Sequence, residues 1–210
     1  MANPTAIASP PLPIRMLLAS SNDGKLREYM ALAECAGVEL APVANFNSLP
    51  RFSEDAPTFA ENAAGKALHY SRSTKLPVVA EDSGLVVPAL GGAPGPRSAR
   101  YAGARATDSD RILKLLGELR HRPSSDRGAR FVCVIALAAG GRMLNVVSDF
   151  VAGELGNTPR GSDGFGYDPI FYYSPLGKTF AELSLVEKNA HSHRGRAFRK
   201  LLGALLPADG

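Results

Sequence analysis

Apolar residues recur along the chain with two different periods, which predict an alternation of strands and helices. The short apolar run at residues 14–19 predicts a first strand, and residues 38–43 predict a second. Between them, apolar side chains recur at every third or fourth position from Lys25, which predicts a helix that Gly37 can end. The helical period returns at residues 58–71, after a polar loop. The first third of the chain is therefore expected to run strand, helix, strand, helix.

The middle of the chain carries the strongest strand patterns. Residues 131–139, FVCVIALAA, are continuously apolar and predict a central strand buried on both faces. The glycine pair at 140–141 then fits a two-residue hairpin into a strand at 142–151. A shorter strand is predicted at 77–82, with a turn at 83–84. Because strands follow one another as well as alternating with helices, the pattern predicts an α/β fold, a mixed β-sheet with flanking helices.

One more amphipathic helix, two loops and a helical C-terminus complete the predicted elements. Residues 107–119 predict a helix with Thr107 as its N-cap. Residues 89–103 are rich in Gly and Pro, residues 153–168 are rich in Gly, and both predict loops. From Lys178 onwards the chain is predicted to be mostly helical. The last helix is expected to bury Phe198, Leu201, Leu202 and Leu205.

Composition places the chain among ordinary globular proteins. Its 210 residues are 45% hydrophobic and 21% charged, which excludes disorder as the main state and allows a sizeable core. The formal charge of +4 is a mild basic excess that favours anionic ligands. Cys35 and Cys133 stand alone, so a disulfide framework or structural zinc site is not expected. No apolar run approaches the about 18 residues of a membrane span, so we expect a cytoplasmic protein without a membrane partner.

The polar turn between the first strand and the first helix is the first candidate for chemistry. Backbone N–H groups at a helix N-terminus and the positive end of the helix dipole bind anions. Asn22 adds a neutral donor and Lys25 a charge, a combination that suits a phosphate chain. The stretch is not a Walker A loop, because GxxxxGK[ST] is absent. An ordinary N-cap beside a solvated lysine explains these residues equally well.

A second candidate combines a loop with the helix that follows it. Glu54 lies in the loop at 45–57, and Asn62 and Lys66 are four residues apart, on one face of the helix at 58–71. An acid, an amide and an ammonium group could form part of a polar site. Taken alone, Lys66 is more simply explained as a surface lysine whose aliphatic stem covers apolar neighbours.

The third candidate is the pair Glu81-Asp82 at the end of a predicted strand. Successive side chains on a strand point to opposite faces, so the two acids should not work as one paired unit. Mg²⁺ is usually held by one or two carboxylates together with phosphates and waters. Two adjacent acids can also form a solvated strand edge. If the strand is central, however, one acid must face inward, and an unpartnered buried carboxylate is costly. We therefore expect one of them to bind a metal or act as a base.

The fourth candidate has two parts, both in the C-terminal third. In GFGYDP, a glycine separates Phe165 from Tyr167, so the backbone can approach a ligand on which the rings stack. Asp168 precedes a proline, which restricts it to extended conformations. The stretch KNAHSHR adds directional donors: Lys188, His191, His193 and Arg194. A core tyrosine and a basic helix exterior would explain each part separately, but the four candidates together predict a nucleotide site.

These stretches resemble the inosine triphosphate pyrophosphatases, also called dITP/XTP pyrophosphatases, a family that clears non-standard purine nucleotides. The matching blocks are SSNDGKLREY, TFAENAAGKA, EDSGLVVPALGGAPGPRSARYAG, GFGYDPIF and EKNAHSHRGRA. Five ordered blocks of this length are far more specific than any single motif. The likeness runs from about residue 14 to residue 206 and leaves residues 1–13 as a disordered tail. That tail holds four prolines and no basic residue, unlike a secretory signal.

The resemblance implies a fold and a reaction. The fold would be an elongated mixed sheet, with residues 14–210 forming a single domain of two lobes around a central nucleotide groove, usually as a homodimer. The substrates would be ITP, dITP and XTP. Cleavage between the α and β phosphates would give the monophosphate and pyrophosphate, with Mg²⁺ as the cofactor.

The resemblance also assigns roles by position. Asp82 would be the general base and a metal ligand, and Glu54 a second metal-associated acid. Glu81 is a third candidate ligand, although many relatives have Asp there. The substrate would be held by Ser20, Ser21, Asn22, Asp23, Gly24, Lys25, Lys66, Ser83, Phe165, Gly166, Tyr167, Asp168, Lys188, His193 and Arg194. We therefore expect Asp82→Asn to inactivate the enzyme and Glu81→Gln to retain most activity.

Two other functions remain open at this point. A nucleotide phosphohydrolase that releases phosphate would need much the same residues. A nucleic-acid-binding module could use the basic C-terminal helix. Against the second, the basic residues of that helix are mixed with Leu and lie beside acids in the sequence. The expected partner is therefore a small nucleoside triphosphate and not nucleic acid.

Overall fold

The computed structural model describes residues 14–205, which form one sheet with helices packed on it. The predicted disordered tail, residues 1–13, lies outside the described residues, as do residues 206–210. The strands are β1 (Arg15–Leu18), β2 (Glu39–Pro42), β3 (Val78–Val86), β4 (Gly128–Ala139), β5 (Arg142–Leu155), β6 (Phe171–Tyr173) and β7 (Lys178–Thr179). The helices are α1 (Asp23–Ala36), α2 (Phe59–Ser71), α3 (Asp108–Leu119), α4 (Leu185–His191) and α5 (His193–Leu205).

The strand order confirms the predicted sheet of mixed direction. The order is β2-β1-β3-β4-β5-β6-β7, in which β1 is parallel to both of its neighbours and every later pair is antiparallel. The continuous apolar run forms β4 at the centre of the sheet, as predicted. The hairpin to β5 is confirmed as well. Gly140 and Gly141 both have positive φ, 56° and 77°, which a two-residue hairpin of this type requires.

The long strands β3, β4 and β5 carry separate apolar cores at their two ends. At one end, α1 and α5 cover one face of the sheet around Val79 and Ile135, and α2 covers the other face around Ala80 and Ala136. At the opposite end a third cluster joins Leu85 to α3 and the C-terminal segments. Glu81 and Asp82 lie on β3 between these packed ends, so the sheet holds both acids where the cores meet.

Two strand boundaries differ from the prediction. The strand predicted at 77–82 does not turn at 83–84 but continues to Val86, and Gly84 pairs with Val132 of β4. A Cβ at Gly84 would overlap Ser98, so this glycine allows the 3-10 turn Gly95–Arg100 to approach the strand. The second hairpin strand, predicted to end at residue 151, extends to Leu155 because it pairs with the first residues of β4.

The C-terminal third also departs in part from its predicted form. Asp168 begins a 3-10 turn and is not extended, because its carboxylate accepts a hydrogen bond from the Phe165 N–H (2.8 Å) and folds the chain back. The chain after Lys178 first forms β7 and a short turn, and only then α4 and α5. Within residues 14–205 no helix is long and apolar enough to cross a membrane.

Candidate functional site

Glu81 and Asp82 point to opposite faces of β3, as the strand period predicts. Glu81 faces α1 and α5, whereas Asp82 faces α2. Both are buried, with 1% and 5% of their surface exposed. A solvated strand edge is therefore excluded, and the electrostatic surroundings of the two carboxylates can be compared directly.

Glu81 is surrounded by cations and hydrogen-bond donors. The groups that contact its two oxygens are Arg194 Nε (3.0 Å), Arg194 Nη2 (3.1 Å), Lys25 Nζ (2.8 Å), the Tyr29 hydroxyl (2.9 Å), the Ser83 hydroxyl (3.0 Å) and the Cys133 thiol (3.1 Å). Burial alone would raise the pKa of Glu81, but Arg194 and Lys25 hold it well below its usual value. Because these groups occupy both oxygens, the candidate role of Glu81 as a metal ligand does not fit the structure.

The cations around Glu81 belong to a longer buried chain of alternating charges. Arg194 also pairs with Glu28, Glu28 pairs with Lys188 (2.6 Å), and Lys188 pairs with Asp168. Burial would lower the pKa of Lys188, but Asp168 and Glu28 more than offset this and raise it. The basic run is thus not a helix exterior, because Lys188 and Arg194 are buried and paired.

Glu28 is not among the site residues predicted from the sequence, although the sequence contains a signal for it. Glu28 lies on the buried face of α1, four residues after Gly24 and four before Leu32, both also buried. A charged residue at a helical position that otherwise faces the core needs a buried partner of opposite charge. Applied to α1, that rule identifies Glu28 from the sequence as a residue that needs a buried cation as its partner.

Asp82 has surroundings quite different from those of Glu81. Its carboxylate accepts hydrogen bonds from the Asn62 side chain (2.9 Å) and the Ser83 N–H (3.0 Å), and within residues 14–205 it forms no salt bridge. Burial raises the pKa of Asp82, with Lys25 acting against it and Glu54 adding to it. A carboxylate with raised proton affinity is suited to accept a proton. Of the two acids, Asp82 is therefore the candidate base.

Glu54 and Lys66 come together as the second candidate predicted. The Lys66 ammonium donates to a Glu54 carboxylate oxygen (2.6 Å) and the residue is only 7% exposed, so it is not a surface lysine. Asn62 links this loop to the acid on β3, because its amide oxygen accepts from the Ala56 N–H (3.0 Å) while its nitrogen donates to Asp82. Helix α2 thereby fixes the position of the Glu54 loop relative to Asp82.

Two cavities lie beside these groups. The first, of about 330 Å³, we call the aromatic cavity; its predicted residues are Asn22, Asp23, Gly24, Lys25, Ser83, Phe165, Gly166, Tyr167, Asp168, Lys188, His193 and Arg194. The second, of about 310 Å³, we call the polar cavity; its predicted residues are Ser20, Ser21, Asn22, Lys25, Glu54 and Lys66. Asn22, Lys25 and Ala99 line both, so the cavities adjoin. Glu81 and Asp82 line neither of these two cavities. Three residues that line the polar cavity, Lys25, Glu54 and Lys66, carry charges that shift the pKa of Asp82.

The polar turn at the N-terminus of α1 forms an ordinary N-cap, and it also lines the two cavities. Asn22 is the N-cap, since its side-chain oxygen accepts from the Lys25 N–H (2.9 Å). Lys25 is not solvated, because its side chain is 16% exposed and pairs with Glu81. Gly24, predicted to line phosphates, packs against the Phe165 ring, which a Cβ at this position would overlap. The turn therefore shapes both cavities.

The Phe165 ring is bordered by the two buried cations of the C-terminal segments. Lys188 Nζ lies 4.8 Å and Arg194 Cζ 5.4 Å from the ring centroid. Lys188 uses two of its N–H groups on Glu28 and Asp168, and Arg194 uses four of its five on Glu28, Glu81 and Ser83. Within residues 14–205, one N–H of each cation has no acceptor and can donate to a ligand.

His193 contributes an unpaired polar atom to the same cavity. Its ring stacks on Phe131, with the centroids 4.8 Å apart and the planes at 11°. Burial, and then the charge of Arg194, holds the pKa of His193 well below its usual value, so the ring is neutral. Its Nδ1 atom has no hydrogen-bond partner within residues 14–205. A buried unpaired nitrogen is a position that a ligand atom can satisfy.

Two carboxylates, those of Asp82 and Glu54, could serve as ligands of a metal ion. In the described part of the chain no three His, Cys, Asp or Glu side chains group closely enough to hold a metal by themselves. Glu54 lines the polar cavity, and its charge helps to raise the pKa of Asp82, so the two carboxylates lie near each other. Two carboxylates fit Mg²⁺, which usually takes its other ligands from phosphates and water.

Comparisons with known proteins cover the part of the chain that contains both cavities. The model of the Ham1 family matches residues 16–204. A dITP/XTP pyrophosphatase of Geobacillus kaustophilus is 50% identical over 186 residues, 89% of this chain and 91% of its own. A dITP/XTP pyrophosphatase of Thermus thermophilus is 46% identical over 191 residues, 91% of each chain. The solved HAM1 protein of Coxiella burnetii has a TM-score of 0.82 at 44% identity, covering 93% of this chain and 100% of its own.

Proposed function

Because this chain belongs to the Ham1 family, we propose that it hydrolyses non-standard purine nucleoside triphosphates, ITP, dITP and XTP, to the monophosphate and pyrophosphate. The resemblance inferred from five sequence blocks is confirmed by the family match. The observation that carries the proposal is the junction of the two cavities. A cavity with an aromatic wall and spare donors joins, through Lys25, a second cavity with an acid and two lysines.

The spare donors of the aromatic cavity account for a preference among bases. Hypoxanthine and xanthine carry an acceptor oxygen at position 6, which can take the free N–H of Lys188 or Arg194. Adenine carries a donor amino group there and would leave these buried N–H groups unpaired. A site with unpaired buried polar groups rejects the wrong substrate by about 10⁴–10⁵-fold. The Phe165 ring supplies a face for stacking.

The polar cavity suits the triphosphate. Ser20, Ser21 and the N-terminal N–H groups of α1 offer donors to phosphate oxygens. Lys25 and Lys66 offset the charge that develops on the departing pyrophosphate. Phosphoryl-type hydrolysis depends on positioning and charge stabilisation more than on covalent chemistry. These groups supply both.

Asp82 is proposed as the general base. Its carboxylate would accept the proton of the water that attacks the α-phosphorus, and the Asn62 amide would keep it in place. Asp82 and Glu54 would hold Mg²⁺. When bound, this ion would neutralise phosphate charge, as divalent ions do in related chemistry. Lys66, paired with Glu54, fixes the acid of the loop beside the cavity.

A substrate panel tests the proposal as a whole. The purified protein is incubated with ITP, dITP, XTP, GTP or ATP and Mg²⁺, and pyrophosphate and phosphate are both measured. We expect pyrophosphate from ITP, dITP and XTP, and little product from ATP. Release of phosphate would support another nucleotide phosphohydrolase instead. Equal cleavage of ATP and ITP would contradict the selectivity derived from Lys188 and Arg194.

Gly24→Ala tests the contact that shapes the aromatic cavity. The new methyl group would overlap the Phe165 ring and displace it, so we expect KM for ITP to rise about tenfold, the effect of losing about 1.4 kcal/mol of binding. Gly203→Ala, in a helix where a Cβ meets nothing within 4 Å, is the matched control and should leave KM unchanged. The measurement is KM for ITP, from steady-state kinetics of both variants. Equal KM values would show that Phe165 takes no part in binding.

We also propose that the enzyme is cytoplasmic and, as the resemblance implies, a homodimer, with the two packed ends of the sheet as the two lobes of each copy. One face of β5 supports a contact with a second copy, because Leu144, Val146 and Phe150 share that face and are exposed. Nucleic acid is not proposed as a partner. Two of the basic residues in the C-terminal helices, Lys188 and Arg194, are buried in ion pairs.

A further inference from the structure

Two charged residues outside the sequence motifs also line the aromatic cavity. Asp108 and Arg111 lie in the first turn of α3. One carboxylate oxygen of Asp108 accepts a hydrogen bond from the Gly166 N–H (2.6 Å), and the other pairs with Arg111. The Arg111 guanidinium also donates to the carbonyl oxygens of Ala99 (2.8 Å) and Ala106 (2.6 Å). The pair therefore joins the loop of Phe165 to the segment of Ala99.

These two segments form separate walls of the aromatic cavity. Gly166 lies between Phe165 and Tyr167, has a positive φ of 64° and carries no side chain that could hold the loop by packing. Among the other contacts that hold the loop are a hydrogen bond from the Phe165 N–H to Asp168 and one from the Tyr167 hydroxyl to the Ser98 carbonyl (3.0 Å). Only the Asp108 contact restrains the glycine amide itself within the described residues.

Capping of α3 does not require this pair. Thr107 and Asp110 already form a capping box, with the Thr107 side chain accepting from the Asp110 N–H (3.2 Å) and the Asp110 carboxylate accepting from the Thr107 N–H (2.8 Å). The Asp110 N–H is thus satisfied without Asp108. The Arg111 side chain is only 16% exposed, although the Asp108 side chain with which it pairs is 42% exposed. Arg111 is therefore a half-buried arginine that bridges three acceptors beside the aromatic cavity.

We propose that Asp108 and Arg111 are positioning residues that set the distance between the two walls of the aromatic cavity and so determine base specificity. The inference rests on the proposed function, because it assumes that the base enters this cavity. Neither residue lines the polar cavity, so both act on base binding and not on phosphate chemistry. A lysine at position 111 would not reproduce the three bonds of Arg111, because its N–H groups all radiate from one atom, whereas arginine spreads its donors over a planar fork.

Kinetics of Asp108→Ala and Arg111→Lys with ITP and GTP test the proposal. We expect KM for ITP to rise about tenfold in each variant while kcat changes little, the pattern of lost uniform binding. The ratio of kcat/KM for ITP to kcat/KM for GTP should also change from its wild-type value. Arg120→Lys is the matched control, an exposed arginine at the C-terminal end of the same helix. A fall in kcat at constant KM, or parameters equal to those of the control, would overturn the proposal.

Amide hydrogen exchange provides a measurement that does not depend on activity. Loss of a hydrogen bond to a charged group should speed exchange of the Gly166 amide by about tenfold or more, whereas the Phe165 amide, held by Asp168, should keep its protection. If the wild type releases no pyrophosphate from ITP, the proposed function is wrong. In that case amide exchange of Gly166 alone tests whether Asp108 and Arg111 position the loop. Unchanged Gly166 protection in Asp108→Ala would refute the proposal. If that variant does not fold, Asp108→Asn replaces it, because the amide keeps the size of the side chain and removes the charge that the Gly166 N–H contacts.

Discussion

Replacing Asp82 with Asn is expected to lower kcat for pyrophosphate release from ITP by about 10²–10⁴-fold, the usual contribution of a general base. The substitution keeps the size of the side chain and an oxygen that can accept from the Ser83 N–H, but it removes the proton acceptor and a charged metal ligand. The measurement is kcat at saturating ITP and Mg²⁺, together with a thermal unfolding curve. The curve separates a loss of chemistry from a loss of fold.

Asp163→Asn is the control for this prediction. Asp163 is an exposed aspartate outside both cavities, so its change should leave kcat within about twofold, as for most surface substitutions. An Asp82→Asn protein with near-normal pyrophosphate release at saturating Mg²⁺ would exclude Asp82 as the base. The same amide would also remove one of the two acids assigned to the metal.

Glu81→Gln is expected to destabilise the fold by about 3–5 kcal/mol, the cost of breaking a buried ion pair from one side. Glu81 is the counter-ion of Lys25 and shares Arg194 with Glu28. A neutral amide at position 81 would leave the buried positive charge of Lys25 without its counter-ion. The N–H groups of the amide would also face other hydrogen-bond donors. Since whole domains are stable by only about 5–15 kcal/mol, the loss should be a large fraction of the total. Urea unfolding at neutral pH measures it.

Glu39→Gln is the matched control, because it removes the same charge from an exposed pair with Arg15 (2.6 Å). Exposed pairs contribute about 0–1 kcal/mol, so this variant should unfold close to the wild type. Equal midpoints for the two variants would contradict the role assigned to Glu81. The partners of Glu81 also revise the earlier expectation that Glu81→Gln keeps most activity. Lys25 and Arg194 both line the aromatic cavity and would lose a partner, so we now expect kcat/KM to fall as well.

Most of the secondary structure followed from local patterns in the sequence. The apolar run of β4, the glycine pair of its hairpin and the N-cap Thr107 act over a few residues, so periodicity and turn chemistry predict them. The boundaries that failed depend on pairing. The strand β3 continues past Ser83-Gly84 because β4 offers it partners, and Gly84 marks a close approach of Ser98 rather than a turn.

The sequence by itself determined which residue types are present for nucleotide chemistry, and that Glu81 and Asp82 face opposite sides of their strand. Only the tertiary structure decided which acid is neutralised, because Arg194 lies 113 residues from Glu81 in the chain and reaches it through the packing of α5. Glu28, Asp108 and Arg111 likewise gain their roles from partners on distant elements. The charge state of a buried group depends on its neighbours in space, and a strand period contains no information about them.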